Sequence, residues 1–380
     1  MELQEKKEEE LEHGIWKRNV RDLMERKRRL VEVPYTASLT DTINALVAND
    51  IVAIPVAAPP GRWIGAGGSA IVESDKVTGA PRKQYIGMVS MLDILNHIAD
   101  YMDMADLEER MNVPVSSLIG HCLEGLSLWT VNPSNRFGIG LSLSFARALV
   151  ALKQKLDRKN GILDCMEAFS KGIHRALVPM DGHMDHVTGL ELAESSPGYR
   201  MLSQMDVLSF LREHDSELEK ITSLSVGELG AIQQNVFAVP KHMAVREVLR
   251  WMRSSSLSAV PVIEDPVEDH KLIMGKGKKL VETFSATDLR GCPSSSLKQW
   301  LSLPVIDFMN KVSIGTRTEP VKTPRPLITC GMGSSLGEVM GKAVDHHVHR
   351  VWVVDDNGLL LGLVTLTDIL RVIRASFSSL

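Results

Sequence analysis

With 380 residues, 44% of them hydrophobic and 24% charged, the chain has an ordinary globular composition and length for two to three domains. Its 43 basic and 47 acidic side chains leave a formal charge of -4, which argues against nucleic-acid recognition by bulk positive charge, and 5% aromatic residues give little material for base stacking. Four cysteines (Cys122, Cys165, Cys292, Cys330) form no CxxC pair, so neither a zinc module nor a disulfide framework is expected and a reducing compartment suits the chain.

In chain order, the first twelve residues hold six Glu and a basic stretch follows from Lys17 to Arg29. These opposed blocks predict a frayed helix leading into Trp16 and Leu23, either simply solvated or used for docking. The most membrane-like stretch, Gly138 to Leu152, is short of a span and carries Arg147, so no membrane partner is expected and the protein is read as soluble and intracellular. A first unit then follows: a helix over Ser38 to Asp50, a strand over Ile51 to Val56, a long surface loop from Ala57 to Gln84, and a strand ending in Gly87-Met-Val-Ser90-Met-Leu-Asp93 before a second helix. The second unit repeats this order with a helix over Ile162 to Gly172, a strand Ala176 to Pro179, a loop Asp181 to Tyr199, and Met201-Leu-Ser203-Gln-Met-Asp206. It contains an additional segment, Asn135 to Asn160, whose Leu141 to Leu152 reads as an extra amphipathic helix. The third unit has a helix over Ala244 to Ser256, a strand Ala259 to Ile263, a loop Glu264 to Lys279, and Phe284-Ser285-Ala-Thr287-Asp288-Leu. In the fourth, a helix over Ser335 to His347 precedes Val351 to Val354, a tight Asp355-Asp-Asn-Gly358 turn, and Leu363-Val-Thr365-Leu-Thr367-Asp368.

Each unit therefore reads strand, helix, strand, strand, helix, and the four aspartates lie 113, 82 and 80 residues apart. Val245, Val248, Leu249 and Met252, like Leu336, Val339, Met340 and Ala343, fall on one helical face, and Ser335 with Glu338 makes a capping-box start. One such unit is too small to close a core, so pairing is expected.

The units resemble cystathionine-beta-synthase (CBS) repeats, which implies an α/β (α+β) fold of four repeats paired into two modules that form a disc. The implied boundaries are a charged tail 1–15 and repeats at 16–104, 112–216 (with the insertion 135–160), 221–302 and 303–380. Four repeats filling the chain resemble the gamma regulatory subunits of the AMP-activated and sucrose-non-fermenting-related kinases. The plant gamma-like members share the likeness of Val20-Arg-Asp-Leu-Met24, Arg28-Arg-Leu-Val-Glu-Val-Pro34, Pro59-Pro-Gly-Arg-Trp-Ile-Gly-Ala-Gly-Gly68 and Ile119-Gly-His-Cys-Leu-Glu-Gly-Leu-Ser-Leu-Trp129. The resemblance implies kinase catalytic (alpha) and beta subunits as partners, AMP, ADP or ATP as regulatory ligand, no nucleic acid, and a cytoplasmic location with the nucleus as a second compartment.

Two readings of the repeated hydroxyl-x-x-aspartate stand side by side. A carboxylate in the first helical turn accepts hydrogen bonds from ribose hydroxyls while the helix start attracts phosphate, and the resemblance matches Asp93, Asp206, Asp288 and Asp368 to ribose ligands, with Ser90, Ser203, Ser285, Thr287, Thr365 and Thr367 as helix-start hydroxyls. The same pattern is also a capping box, a structural device. A His-Arg pair that faces phosphates in the family is present as His174-Arg175 and His349-Arg350, whereas Val52-Ala53 and Ser258-Ala259 offer no cation at the matching positions, and Asp206 stands where the family commonly has a basic residue.

Three histidines in Asp345-His-His-Val-His-Arg350 run from a helix end into a strand and do not converge as metal ligands, so no metal is expected. Gly61 to Gly68 lacks the Gly-Lys-Ser/Thr of a P-loop, and Gly275 to Lys279 reads as a solvated basic turn. No nucleophile-base pair, metal triad or P-loop stands outside the repeats, so a non-catalytic regulatory subunit is expected. The alternative is a standalone CBS module for an adenosyl ligand, or an adaptor, with a client other than the kinase.

Overall fold

The computed structural model describes residues 20–24, 27–58, 85–98, 107–119, 129–131, 139–140, 161–179, 195–196, 199–264, 272–291, 296–315 and 326–378. Within them the repeated unit appears four times. The first runs Val33–Pro34, helix Leu39–Ala48, Ala53–Ala57, Tyr85–Ser90, helix Met91–Ile98, and the second Trp129–Val131, helix Gly161–Phe169, Arg175–Pro179, Tyr199–Ser203, helix Gln204–Glu213. The third begins Phe237–Pro240, helix Val245–Ser254, Ala259–Glu264, Lys279–Ser285, and the fourth runs Thr329–Cys330, helix Leu336–Asp345, Arg350–Val354, Leu360–Thr365, helix Leu366–Ser378. In every unit the short first strand is parallel to the second, a pairing that needs the helical crossover between them, and the third strand is antiparallel to the second.

Two local devices recur with the units. The antiparallel register slips at Ile86, Val281 and Leu361, each four residues before the helix-start hydroxyl Ser90, Ser285 or Thr365; such bulges bend a strand at a fixed place. The first helix of each unit ends in a left-handed residue: Asp50, Gly172, Ser256 and His347 have φ of 51°, 92°, 53° and 50°. The following amides reach back to carbonyls in the last turn, Ile51 to Leu46 at 3.0 Å, Ile173 to Ala168 at 3.4 Å, Leu257 to Met252 at 2.8 Å and Val348 to Ala343 at 3.0 Å, the Schellman closure that satisfies otherwise orphaned groups. Three of the four positions carry a side chain despite its steric penalty there.

The third unit departs from the expected pattern. Among the described residues a 3-10 turn, Asp288–Gly291, follows Ser285 in place of the expected helix, and Pro293, two residues on, is a sequence signal against helix continuation. Helices Leu297–Leu301 and Val305–Gly315 supply the missing apolar mass through Leu297, Leu301, Phe308 and Val312. Inside the expected loop Glu264 to Lys279, Ile273–Met274 adds an antiparallel strand to Phe237–Pro240. The basic turn beside it is not merely solvated. Its Gly277 amide donates to the Leu360 carbonyl at 2.7 Å, Leu360 N–H donates to the Lys278 carbonyl at 2.9 Å, and Lys279 Nζ donates to the Asn357 carbonyl at 2.6 Å. In the second unit Ile139–Gly140 pairs with Trp129–Val131, while the helix expected over Leu141 to Leu152 and the Gly61 to Gly68 run lie outside the described residues. Ser195–Ser196, from the 181–199 connection, pairs with Leu30–Val31.

Burial closes the four units into a ring. One core joins the helices of the first and third units, with Leu39, Ile43, Leu46, Ile94 and Leu95 against Val245, Val248, Leu249 and Met252. A second joins the second and fourth, with Ile162, Met166, Phe169 and Leu208 against Leu336, Val339, Met340 and Ile373; Val20 and Met24 of the short Val20–Met24 helix lie in it, so this part of the basic stretch folds onto its own chain. Arg212 and Glu167 add ion pairs across the same seam, to Asp345 and Arg374. The strands make the other two seams. Trp352, Leu360, Val236 and Leu280 pack together and Trp352 Nε1 donates to Thr283 Oγ1 at 2.7 Å between the third and fourth units, while Tyr85 and Tyr199 meet edge to face at 5.5 Å between the first and second. Around the ring the units therefore follow the order first, second, fourth, third.

The linker before the third unit is pinned to the fourth by reciprocal backbone bonds, Gln233 N–H to Leu363 O at 2.9 Å and Leu363 N–H to Gln233 O at 3.0 Å, and this approach requires Gly362. A Cβ there would stand 2.6 Å from the Gln233 carbonyl oxygen and 2.6 Å from Ile232 Cγ2. Gly362→Ala is expected to cost about 1–3 kcal/mol by overpacking. Thermal unfolding should show a melting temperature several degrees lower; an unchanged value would mean that the linker shifts freely.

Candidate ligand-binding site

Ring closure leaves a central cavity of about 1450 Å³, onto which equivalent parts of all four units open. The starts of the second strands line it (Val52-Ala53, His174-Arg175, Ser258-Ala259 and His349-Arg350), as do the left-handed helix ends Asp50, Gly172, Ser256 and His347. The predicted hydroxyls Ser90, Ser203, Ser285, Thr287, Thr365 and Thr367 reach it as well. Among the described residues Lys27, Arg28, Arg29 and Arg290 join Arg175 and Arg350 around it, against Asp50, Glu282 and Asp288, and Asp50 is held by Arg290 at 2.7 Å. A chain of net negative charge thus concentrates cations in one concavity, where low-dielectric walls focus the field on an entering anion.

The carboxylates fold back on their own helix starts. Oδ2 of Asp93 accepts from Ser90 N and Oγ at 2.9 and 2.6 Å, and that of Asp206 from Ser203 at 2.8 and 2.7 Å. Asp288 accepts from Ser285 at 2.8 and 2.9 Å, and Asp368 from Thr365 at 3.0 and 2.5 Å. Capping geometry is therefore present in every unit, including the one that continues only as a 3-10 turn. By contrast Ser335 makes half a box: it accepts from Glu338 N–H at 3.1 Å, and the Glu338 carboxylate turns to Lys342 at 2.7 Å, which holds its pKa below the usual carboxylate range.

The four aspartates then diverge. Asp206 Oδ1 pairs with Lys27 Nζ at 2.6 Å. Asp368 receives Gln233 Nε2 on Oδ2 at 2.8 Å and Arg371 on Oδ1 at 3.4 Å. Asp93 is buried at the start of the first unit's second helix and is not among the residues lining the cavity. Asp288, itself buried, is the one of the four whose residue borders the cavity.

Around Asp288 the third and fourth units build one crevice. Arg350 reaches across the strand seam, its Nη2 donating to Ser258 Oγ at 2.9 Å, so the matching position that lacks a cation in the third unit receives one from the fourth. Burial pushes the Arg350 pKa down to about 10 although the Asp288 charge acts in the opposite direction. Ala259, Pro261, Val236 and Trp352 supply apolar wall, and Ser285 and Thr287 supply hydroxyls. His346 caps the Leu336–Asp345 helix, His347 takes its left-handed end and His349 stands at the strand start; among the described residues no group of three or more His, Cys, Asp or Glu is placed to hold a metal ion. Cys330 is buried, and burial raises its thiol to about 11, a protonated, inert state at neutral pH. Among the described residues no helix is long and apolar enough to cross a membrane. Lys27, Asp50, Gln233 and Arg290 were not anticipated as site residues, since each comes from a linker, a tail or a helix end that only the ring brings inward.

Two outcomes follow. Asp368→Ala removes an acceptor of four donors and is expected to destabilise the ligand-free chain by about 1–2 kcal/mol, read by denaturant unfolding; no change would show the cap to be dispensable. The native Arg350 pKa lies below that of the unfolded chain, so folding carries this charge at a net cost that is constant at neutral pH and relieved only as pH rises through about 10. Arg350→Met should accordingly hold or raise the melting temperature at pH 7, and a clear fall would identify the guanidinium as structural.

The CBS domain family matches residues 321–375, the fourth unit. The chain is 45% identical to the SNF1-related protein kinase regulatory subunit gamma-like PV42a of Arabidopsis thaliana over 385 residues, covering 99% of this chain and 100% of the relative. It is 47% identical to PV42b of the same plant over 365 residues, covering 95% of each. Among solved structures, protein MJ1225 from Methanocaldococcus jannaschii superposes with a TM-score of 0.56 at 16% identity over 93% of this chain and 99% of that one, a likeness of fold alone. Near-full-length identity of this order, on a ring of four CBS-type units, establishes that the chain belongs to the SNF1-related protein kinase regulatory subunit gamma-like family.

Proposed function

We propose that the chain is a non-catalytic regulatory subunit that assembles with kinase catalytic and beta subunits and binds an adenine nucleotide in the crevice between the third and fourth units. The observation that carries the ligand assignment is the convergence of Asp288 and Arg350 on one cavity, with Arg350 anchored on Ser258 Oγ. Asp288 Oδ2 accepts the Ser285 cap, and a carboxylate held at a helix start on the cavity border is the group type that accepts from the paired hydroxyls of a ribose. Arg350, half-buried on the cavity wall, gains more from a phosphate than a fully exposed arginine would, because part of the desolvation that opposes charge pairing is in place before the ligand arrives. The apolar strand residues Ala259, Pro261 and Val236 suit the face of a purine.

Regulation then follows from the ring. The crevice lies on a strand seam, so a ligand there favours one packing of the third unit against the fourth. Kinase subunits gripping the outside of the disc respond only if their own affinity differs between packings. The partner assignment rests on the family, whose named members are kinase regulatory subunits.

Calorimetry on the full chain with AMP, ADP and ATP tests the ligand. Asp288→Asn, which keeps an acceptor for the Ser285 cap, and Arg350→Met should each weaken binding tenfold or more, in keeping with the loss of a charge-assisted hydrogen bond of about 1.5–3 kcal/mol. Equal affinities in wild type and both variants would exclude this crevice. Co-purification with the catalytic and beta subunits at micromolar concentration tests the assembly, and failure there transfers the reading to a CBS adaptor with a different client.

A further inference from the structure

One cation on the cavity wall already has an acid of its own. Lys27 leaves the short Val20–Met24 helix with its N–H donating to the Met24 carbonyl at 3.0 Å, and its ammonium meets Asp206 Oδ1 at 2.6 Å. The other carboxylate oxygen takes Ser203 N and Oγ at 2.8 and 2.7 Å. Both oxygens of Asp206 are therefore engaged within the chain, one by a charged donor. Asp288, at the same place in the third unit, differs in lining the cavity directly.

The lysine is held in place from several sides. Its carbonyl accepts from Arg200 Nε at 3.1 Å, on the strand that leads into Ser203. The next residue, Arg28, donates to the Asn49 carbonyl at 2.7 Å, which ties the segment to the helix end of the first unit, and Leu30 and Val31 pair with Ser196 and Ser195. A segment fixed at both ends thus presents one ammonium to one carboxylate. An ammonium at 2.6 Å fills the position from which a ribose hydroxyl would donate to that oxygen, and it is a stronger donor than the hydroxyl it would have to yield to.

We infer that Lys27 is a specificity-determining residue that occupies the second unit's crevice from within the chain and keeps Asp206 from acting as a nucleoside ligand. The inference rests on the reading of the hydroxyl-aspartate crevices as nucleoside sites. It predicts that the four units are unequal toward nucleotide because of a residue that belongs to none of the repeated elements.

Calorimetric titration of the full chain with AMP tests it on wild type, Lys27→Arg, Lys27→Met, and Lys27→Met combined with Asp206→Ala, each checked for an unchanged melting profile. Lys27→Met keeps the aliphatic stem and removes the charge, and it should raise the binding stoichiometry by one site per chain. Lys27→Arg should match wild type, and adding Asp206→Ala to Lys27→Met should remove the gained site. The same stoichiometry in wild type and Lys27→Met overturns the inference, as does a gained site that survives Asp206→Ala. A wild type that binds nothing while Lys27→Met binds one AMP would uphold the role of Lys27 and overturn the third-unit assignment; binding by neither would overturn both.

Discussion

Each unit has two surfaces to bury, the helical face and the strand side, and no single neighbour can cover both. A helix stripe such as Val245, Val248, Leu249 and Met252 demands apolar helices opposite it, which the first unit supplies, while Trp352, Leu360 and Leu280 demand the strands of an adjacent unit. With each unit giving its helices to one neighbour and its strands to another, four units close on themselves. The hole in the middle is a consequence of that closure, since hydrophobic burial fixes the seams and leaves the strand beginnings and helix ends facing one another across open space.

What lines the hole is then decided by backbone chemistry common to the units. At each second helix the hydroxyl-aspartate cap turns a strand into a helix or, at Asp288, into a 3-10 turn, and at each first helix the left-handed residue turns a helix into a strand. Capping and ligand binding were competing readings of the aspartates, yet a carboxylate has two oxygens and about four acceptor sites. One oxygen spent on Ser285 holds the other in a fixed direction, so the cap is the means by which a ribose acceptor would be positioned at no cost in side-chain entropy when ligand arrives.

The repeat was legible because its signals are local. Periodicity placed the helix stripes, the hydroxyl-x-x-aspartate spacing placed the caps, and Asp355-Asp-Asn-Gly358 placed the hairpin, whose Asp355 Oδ1 accepts from Asn357 and Leu359 N–H at 2.9 and 2.8 Å. Features that depend on ring closure were not. Nothing local in Gly275-Lys-Gly-Lys-Lys279 shows that its backbone pairs with Leu360, and the missing third-unit helix depends on weighing Pro293 above a spacing that otherwise matched. The His-Arg positions were found in the sequence, but their allocation was not: Ser258 looked empty of charge because its cation is donated by Arg350, 92 residues away.

Allocation across seams also explains how units of one design can differ in function. The Asp206 and Asp288 caps are alike in bonding, and what separates them is the cation that the ring delivers. Asp206 receives a flexible ammonium at 2.6 Å that satisfies the oxygen directly. Asp288 shares its wall with a guanidinium anchored on Ser258, whose burial is only partly offset by the carboxylate. A satisfied pair has little to gain from a third party, whereas on the proposed reading a half-buried guanidinium on the cavity wall gains from an entering anion. Divergence among the four crevices can therefore proceed through linkers and neighbouring units while the caps that hold the fold stay as they are.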